Sequence, residues 1–128
     1  MKILIIDDSK SVAEVIDLML TDIEIELLWA ANGQDGIDIL KREQNIDLIL
    51  LDWHMPIMNG DAFLKAIENE KMSRCPVLLM SIDSTNKNMI DKSQKYIIEY
   101  IIKPFTKKSL VDKIKNVVNN IIINKMRP

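Results

Sequence analysis

The chain has 128 residues, a length that suits one domain with a single hydrophobic core. Hydrophobic residues make up 48% and charged residues 28%, which is the balance of a soluble globular protein. The net charge of −2, from 17 basic and 19 acidic residues, argues against a protein that binds nucleic acid through a broadly basic surface.

The chain begins with a strand, a helix and a second strand. The run Ile3–Ile6 is short, continuous and apolar, which is typical of a strand buried on both faces. A helix follows, with Ser9 or Ser11 as its cap. Its apolar residues at helical spacing are Val12, Ile16, Met19 and Leu20. The run Ile25–Ala30 predicts the second strand.

The middle of the chain continues the alternation. Asn32-Gly33 predicts a turn, and a second helix is expected to end near Asn45. Its apolar face is led by Gly36, Ile37 and Leu40. The run Ile46–Leu51 predicts a third strand, and a loop rich in turn residues extends from Asp52 to Gly60. A third helix is marked by Ala62, Phe63, Ala66 and Ile67.

The last part predicts two more strands and two more helices. Pro76–Met80 is the fourth strand, and a weaker fourth helix is expected around Met89 and Ile90. Ile97–Ile102 is the fifth strand. The apolar stripe of a long last helix consists of Leu110, Ile114, Val117, Val118 and Ile121.

Five strand–helix units of this kind predict an α/β fold. Strands buried on both faces and alternating with helices form a parallel sheet covered on both sides. Because crossovers between parallel strands are right-handed, few topologies remain. We expect a flavodoxin-like, doubly wound sheet of five strands in the order 2-1-3-4-5 with five helices. This domain is expected to span residues 1–124, followed by a C-terminal tail at 125–128.

Polar side chains follow four of the five predicted strands, at the point where each strand ends. They are Asp7 and Asp8 after the first, Asp52 after the third, Ser81 after the fourth and Lys103 after the fifth. Ligands of such sheets bind at the carboxyl ends of the strands next to the switch point, so these groups should lie together. Three clustered carboxylates need a cation, and oxygen ligands favour Mg²⁺. A lysine and a hydroxyl suit the oxygens of a phosphoryl group, and a carboxylate can be its acceptor.

These residues resemble the response regulator receiver family, of the CheY-like single-domain kind, over essentially the whole chain. The motifs that carry the resemblance are Ile5-Ile6-Asp7-Asp8-Ser9, Asp52-Trp53-His54-Met55-Pro56 with Met58-Asn59-Gly60, and Lys103-Pro104-Phe105. The resemblance implies a two-component signalling module that accepts a phosphoryl group from a sensor histidine kinase or a histidine phosphotransfer protein. Such a module is not an enzyme in the usual sense, although it catalyses its own phosphorylation and its slow dephosphorylation.

The resemblance also implies a role for each residue of the motifs. Asp52 is the phosphoacceptor, and Lys103 binds the phosphoryl group. Mg²⁺ is held by Asp7, Asp8, Asp52 and the main-chain carbonyl of His54. Ser81 and Tyr100 are the two switch residues, and the Lys103–Pro104 peptide bond is expected to be cis.

The sequence departs from the family pattern at several positions. Ile82 follows Ser81 where the family usually has a small residue, and with His54 and Asp83 it is expected to tune the access of water to the phosphoryl group. Lys95-Tyr96-Ile97 replaces a stretch of small residues, so the course of the chain from Gln94 to Ile98 is left open.

The output is expected to act through the face made by the predicted fourth helix, the fifth strand and the last helix. Tyr96 and Ile98 add apolar surface there, which favours a protein partner. A homodimer in which Glu99 of one chain pairs with Lys113 of another is an alternative, but we favour a different protein as the target. A phosphorelay carrier is a variant of this function. An unphosphorylated scaffold, a flavin-binding redox protein and an aspartyl-phosphate hydrolase fit the residues less well.

The surroundings of the protein are inferred from what the sequence does not contain. No stretch approaches the roughly 20 apolar residues of a membrane span, and acids stop the apolar N-terminus too early for a signal peptide. Cys75 is the only cysteine, so no internal disulfide can form. We therefore expect a cytoplasmic protein with no membrane partner and no direct contact with nucleic acid.

Overall fold

A computed structural model describes residues 1–55, 58–69, 75–82 and 97–126. Within these ranges five strands and four helices follow one another along the chain. They are β1 (Lys2–Ile6), α1 (Lys10–Met19), β2 (Glu26–Ala30), α2 (Gly33–Arg42), β3 (Leu48–Asp52), α3 (Gly60–Asn69), β4 (Val77–Ser81), β5 (Ile97–Ile102) and α4 (Lys107–Met126). The helix predicted around Met89 and Ile90 lies outside the described residues, so four of the five predicted helices are observed.

The strands form one parallel sheet in the order β2-β1-β3-β4-β5, which confirms the predicted topology. Ile6 at the end of β1 aligns with Ala30 of β2 on one side and with Leu51 of β3 on the other. β1 and β3 are therefore neighbours at the switch point, and the residues that follow them emerge at the same edge.

Apolar side chains cover both faces of this sheet because successive strand residues point to opposite sides. Beneath α2 and α3 lies a core that includes Leu4, Ile6, Ile49, Leu51, Phe63 and Ile67. Beneath α1 and α4 lies a second core that includes Ile3, Ile5, Ile16, Leu48, Leu50 and Leu110. The β1 and β3 residues of both cores are at most 1% exposed, so the two strands that lead to the site are held rigidly.

Two helix starts differ in how well the sequence predicted them. The Ser9 hydroxyl accepts the Val12 N–H at 3.3 Å, which confirms Ser9 as the cap of α1. Asn32-Gly33 was predicted as a turn, but the Asn32 side chain accepts the Asp35 N–H at 2.9 Å and Gly33 is the first residue of α2. An Asn side chain that satisfies a free helical N–H starts a helix as readily as it makes a turn.

The boundaries of two middle elements also differ from the predicted ones. α2 ends at Arg42, earlier than the predicted end near Asn45, and β3 begins at Leu48 and includes Asp52. The Asp47 N–H donates to the Lys2 carbonyl at 2.8 Å, just before the β3 ladder begins. Element ends are commonly uncertain by one or two residues.

None of the helices in the described part of the chain combines the length and the apolar character that a membrane span requires.

Candidate functional site

The polar residues predicted at the strand ends meet at the carboxyl edge of the sheet. Asp7 follows β1 directly, Asp52 is the last residue of β3 and Ser81 is the last residue of β4. Lys103 follows β5, and its N–H donates to the Ser81 carbonyl at 2.7 Å. The parallel register thus brings together residues that are far apart in sequence.

Three carboxylates form the centre of the site. Asp7 and Asp52 are buried, with 1% and 5% of their surface exposed, whereas Asp8 is exposed. One carboxylate oxygen from each of the three residues lies within 4.8 Å of those of the other two. Two buried acids beside a third concentrate negative charge at the end of the sheet.

Asp7 is held by two hydrogen bonds from different parts of the chain. Its Oδ1 accepts the Ser9 N–H at 2.9 Å, which ties it to the start of α1. Its Oδ2 accepts a hydrogen bond from Lys103 Nζ at 2.7 Å. These two bonds fix the position of the Asp7 side chain.

Asp52 is less completely neutralised than Asp7. Lys103 Nζ lies 3.5 Å from Asp52 Oδ1, and the His54 N–H donates to the same oxygen at 3.2 Å. Burial raises the pKa of the Asp52 carboxyl above its ordinary value, and the carboxylates of Asp7 and Asp8 act in the same direction. The Lys103 ammonium and the His54 N–H oppose this rise in pKa without cancelling it.

The donor set of this site fits a hard divalent cation. The cluster offers three carboxylate oxygens within 4.8 Å and no thiolate or imidazole among its members, which suits Mg²⁺ better than Zn²⁺. The pKa of Asp52 is raised mainly by burial and further by the carboxylates of Asp7 and Asp8, whose repulsion a bound cation would relieve. The predicted contribution of the His54 carbonyl stays a prediction, and the His54 side chain is exposed at the rim.

Ile82 lies at the rim of the site. It is 69% exposed and lines an apolar surface groove together with Val12, Val15, Lys103 and Phe105. Ile82 and Lys103 therefore line the same groove. Asp83, the third residue expected to tune access, lies outside the described residues.

Tyr100 lies on β5, three residues before Lys103. It is half-buried, packs against the core beneath α2 and α3, and aligns with Leu79 of β4. Lys113 Nζ of α4 lies 5.5 Å from the centre of its ring, a distance typical of a cation–π contact. Tyr100 is thus linked by packing to β4, which ends at Ser81.

Glu99 and Lys113, which we considered as a possible pair across a dimer, bond to each other within the chain. Lys113 Nζ lies 2.9 Å from Glu99 Oε1. The pairing between two chains is therefore not needed to satisfy either charge. Tyr96 lies outside the described residues, as does the side chain of Ile98, so their surface is not described. The cis Lys103–Pro104 bond is confirmed.

One residue near the site was not predicted to take part in it. The Trp29 indole N–H donates to the main-chain carbonyl of Asp7 at 2.8 Å. In the sequence Trp29 is only one residue of the run Ile25–Ala30, which predicts the second strand. The parallel register of β1 and β2 would have identified it, because that register places Trp29 opposite Ile5 and next to the end of β1.

Comparison with known proteins points to one family. The response regulator receiver domain model matches residues 3–115. The chain is 31% identical to the chemotaxis protein CheY of Pseudomonas aeruginosa over 124 residues, which cover 94% of this chain and 98% of that protein.

Two solved structures show the same fold. Chemotaxis protein CheY4 of Vibrio cholerae matches with a TM-score of 0.80 and 27% identity, covering 91% of this chain and 97% of that one. Response regulator protein TrrA of Thermotoga maritima, in complex with Mg²⁺ and BeF, matches with a TM-score of 0.78 and 27% identity, over 91% and 97% of the two chains.

Proposed function

Because this chain belongs to the response regulator receiver family of two-component signalling, we propose that Asp52 accepts the phosphoryl group and that Asp7 and Asp8 hold Mg²⁺ beside it. The observation that carries the proposal is the meeting of three carboxylates within 4.8 Å, with Lys103 Nζ in reach of two of them. Phosphorylation and an acidic Mg²⁺ pocket are general features of the family.

In the proposed reaction a carboxylate oxygen of Asp52 attacks the phosphorus of the donor. A P–O bond to Asp52 forms while the bond from phosphorus to the donor's histidine nitrogen breaks, and the electron pair leaves with the imidazole. Only the ionised carboxylate can attack, so the groups that oppose the raised pKa of Asp52 favour the reaction. Mg²⁺, when bound, supplies the positive charge that neutralises the carboxylates and the phosphoryl oxygens.

Lys103 supplies the second positive charge at the site. Its ammonium lies 2.7 Å from Asp7 Oδ2 and 3.5 Å from Asp52 Oδ1, so a small movement of a flexible side chain brings it to an oxygen of a phosphoryl group on Asp52. Ser81, buried at the adjacent strand end, is the hydroxyl that we assign to another phosphoryl oxygen. The site thus stabilises the transferred group by position and charge.

The phosphoryl donor is a sensor histidine kinase or a histidine phosphotransfer protein, and the chain catalyses its own phosphorylation and slow dephosphorylation. We assign Ser81 and Tyr100 to the switch: the movement of Ser81 toward the phosphoryl group would let Tyr100 turn inward. The surface around β5 and α4 would then bind a downstream protein. The pairing of Lys113 with Glu99 within the chain supports a different protein as the target over a second copy of this chain.

The proposal is tested by incubating the protein with a small phosphodonor such as acetyl phosphate, with Mg²⁺ and with a chelator. We expect a covalent, acid-labile phosphoryl group whose formation requires Mg²⁺. Labelling that proceeds equally well in the chelator would contradict the assignment of Asp7 and Asp8 to the metal.

A further inference from the structure

From its bond to Asp7 we infer that Trp29 is a positioning residue of the Mg²⁺ site, acting through the main-chain carbonyl that joins Asp7 to Asp8. The inference rests on the proposed function and adds a residue to it. Trp29 Nε1 donates to this carbonyl at 2.8 Å, a good length for a hydrogen bond. The indole lies beside the connection between β1 and α1, which contains Asp7 and Asp8.

The end of the β1–β2 ladder explains why a side chain is placed at this carbonyl. The Asp7 N–H donates to the Ala30 carbonyl at 3.0 Å, and β2 ends at Ala30. The chain then turns into α2, whose cap is Asn32. The main chain of β2 therefore leaves the sheet next to Asp7, and the Trp29 indole supplies a donor at that point.

The bond from Trp29 to the Asp7 carbonyl also helps to orient Asp8, because the peptide unit that joins Asp7 to Asp8 is planar. Fixing the Asp7 carbonyl fixes the orientation of the plane that leads to the Asp8 Cα. The Asp7 side chain is also held by Lys103 and by the Ser9 N–H. The Asp8 side chain is exposed, so the placement of its carboxylate depends more on the main chain.

The exposure of Trp29 is consistent with a role beyond packing. Trp29 is 39% exposed and lies on the α1 side of the sheet, where it lines a surface pocket with Ala13, Glu14 and Leu27. A large aromatic residue at an exposed strand end contributes less to the core than a buried one. Its polar N–H, in contrast, is fully used on a residue of the site.

The test compares the Mg²⁺ affinity of Trp29→Phe with that of the unaltered protein. Phenylalanine keeps an aromatic ring and removes the N–H. Mg²⁺ titrations are followed by the NMR signals of the Asp7, Asp8 and Ser9 amides. We expect the dissociation constant to rise about threefold to tenfold, somewhat less than the 10- to 100-fold typical of partners that bond a ligand side chain directly.

Leu27→Ala is the matched control, because Leu27 lines the same pocket from the same strand. It should reduce thermal stability and leave the Mg²⁺ affinity unchanged. Equal affinity in Trp29→Phe and the unaltered protein would overturn the positioning role while leaving the proposed function intact. Absence of Mg²⁺ binding in the unaltered protein would overturn both. An equal loss of affinity in Leu27→Ala would reduce Trp29 to a structural residue and overturn the inference.

A second measurement decides the question if Trp29→Phe does not fold. In the unaltered protein the indole N–H signal of Trp29 should shift on addition of Mg²⁺, with the same dissociation constant as the Asp8 amide. A Trp29 signal that stays in place while the Asp8 amide titrates would overturn the inference.

Discussion

The ammonium of Lys103 donates a 2.7 Å hydrogen bond to the buried carboxylate of Asp7, although 96 positions separate the two residues. Lys103 is the only described lysine with an ion pair to this cluster, and it lies closer to Asp7 than to Asp52. Among the described residues, this one ammonium contacts two of the three clustered carboxylates. The site carries an excess of negative charge, and this excess has consequences for both stability and chemistry.

The first prediction concerns the stability of Asp52→Asn. Because burial raises the pKa of Asp52, the folded state binds its proton more tightly than the unfolded state does, and the ionised carboxylate opposes folding at neutral pH. Without Mg²⁺ at pH 7, the neutral amide should raise the free energy of unfolding by about 1 kcal/mol, a rise in Tm of about 4 °C for a domain of this size. Thermal unfolding followed by circular dichroism measures this difference.

The pH dependence provides the control for this prediction. The advantage of Asp52→Asn should shrink as the pH falls through the raised pKa of Asp52 toward the ordinary value of about 4, because the native carboxyl then becomes neutral as well. Asp61→Asn, at a partly exposed aspartate paired with Lys65 on α3, should stay within about 0.5 kcal/mol of the unaltered protein. A Tm for Asp52→Asn at or below that of the unaltered protein at pH 7 would contradict the prediction that the ionised Asp52 carboxylate opposes folding.

The second prediction concerns the packing of the loop after Asp52. A Cβ on Gly60, the first residue of α3, would lie 2.7 Å from Trp53 Cε3 and 3.2 Å from Trp53 Cα. Gly60→Ala should therefore push against the ring and backbone of Trp53, next to Asp52, and lower the free energy of unfolding by about 2 kcal/mol. The midpoint of urea unfolding measures the loss.

Gly33→Ala is the matched control at the first residue of α2. Its Cβ would meet the Met58 side chain, with Cγ and Sδ both at 2.8 Å, and a flexible thioether can move away. We expect a loss below about 1 kcal/mol. If Gly60→Ala proves as stable as Gly33→Ala, the close approach of α3 to Trp53 does not restrict which residue can occupy position 60.

The third prediction concerns the lifetime of the phosphorylated form. Ile82 and Lys103 line the same groove, and we expect Ile82 to restrict the approach of the water that hydrolyses an acyl phosphate. Ile82→Ala should shorten the half-life about threefold to tenfold, since hydrolysis depends steeply on the position of the attacking water. The decay of acid-labile phosphate gives the rate. Val15→Ala, which alters the same groove from α1, should leave it unchanged. A half-life in Ile82→Ala that is unchanged or longer would count against this role.

The fourth prediction concerns the transmission of the signal to β5 and α4. Addition of beryllofluoride and Mg²⁺ should shift the backbone NMR signals of Tyr100 and of residues in α4 such as Lys113, as well as those of the site. The reason is that Tyr100 packs against the core next to β4 and lies under Lys113 Nζ at 5.5 Å. Asp52→Asn should show none of these shifts. Shifts confined to Asp7, Asp8 and Asp52 would show that this face is not the output surface.

The sequence predicted the strand order and the convergence of Asp7, Asp8, Asp52, Ser81 and Lys103 for one physical reason. Strands buried on both faces are recognisable as apolar runs, and parallel strands end at the same edge of a sheet. The side chains that follow them must therefore meet, whatever the details of packing.

Other features depend on contacts that no local pattern contains. The bond from Trp29 to the Asp7 carbonyl requires the register of β1 with β2, and an isolated tryptophan in a strand predicts only burial. The pairing of Glu99 with Lys113 requires α4 to lie over β5, and the sequence alone allowed a partner in a second chain. Asn32 fits a turn and a helix cap equally well, and the packing of α2 decides between them.

The measurement that tests the central claim most directly is the site of phosphorylation. Unaltered protein, Asp52→Asn and the matched control Asp61→Asn are incubated with acetyl phosphate and Mg²⁺, and the acid-labile phosphoryl group is quantified by mass spectrometry of the intact protein. We predict labelling of the unaltered protein and of Asp61→Asn, and its loss in Asp52→Asn, because the amide cannot attack phosphorus. Labelling of Asp52→Asn to the level of the unaltered protein would contradict the assignment of Asp52 as the phosphoacceptor.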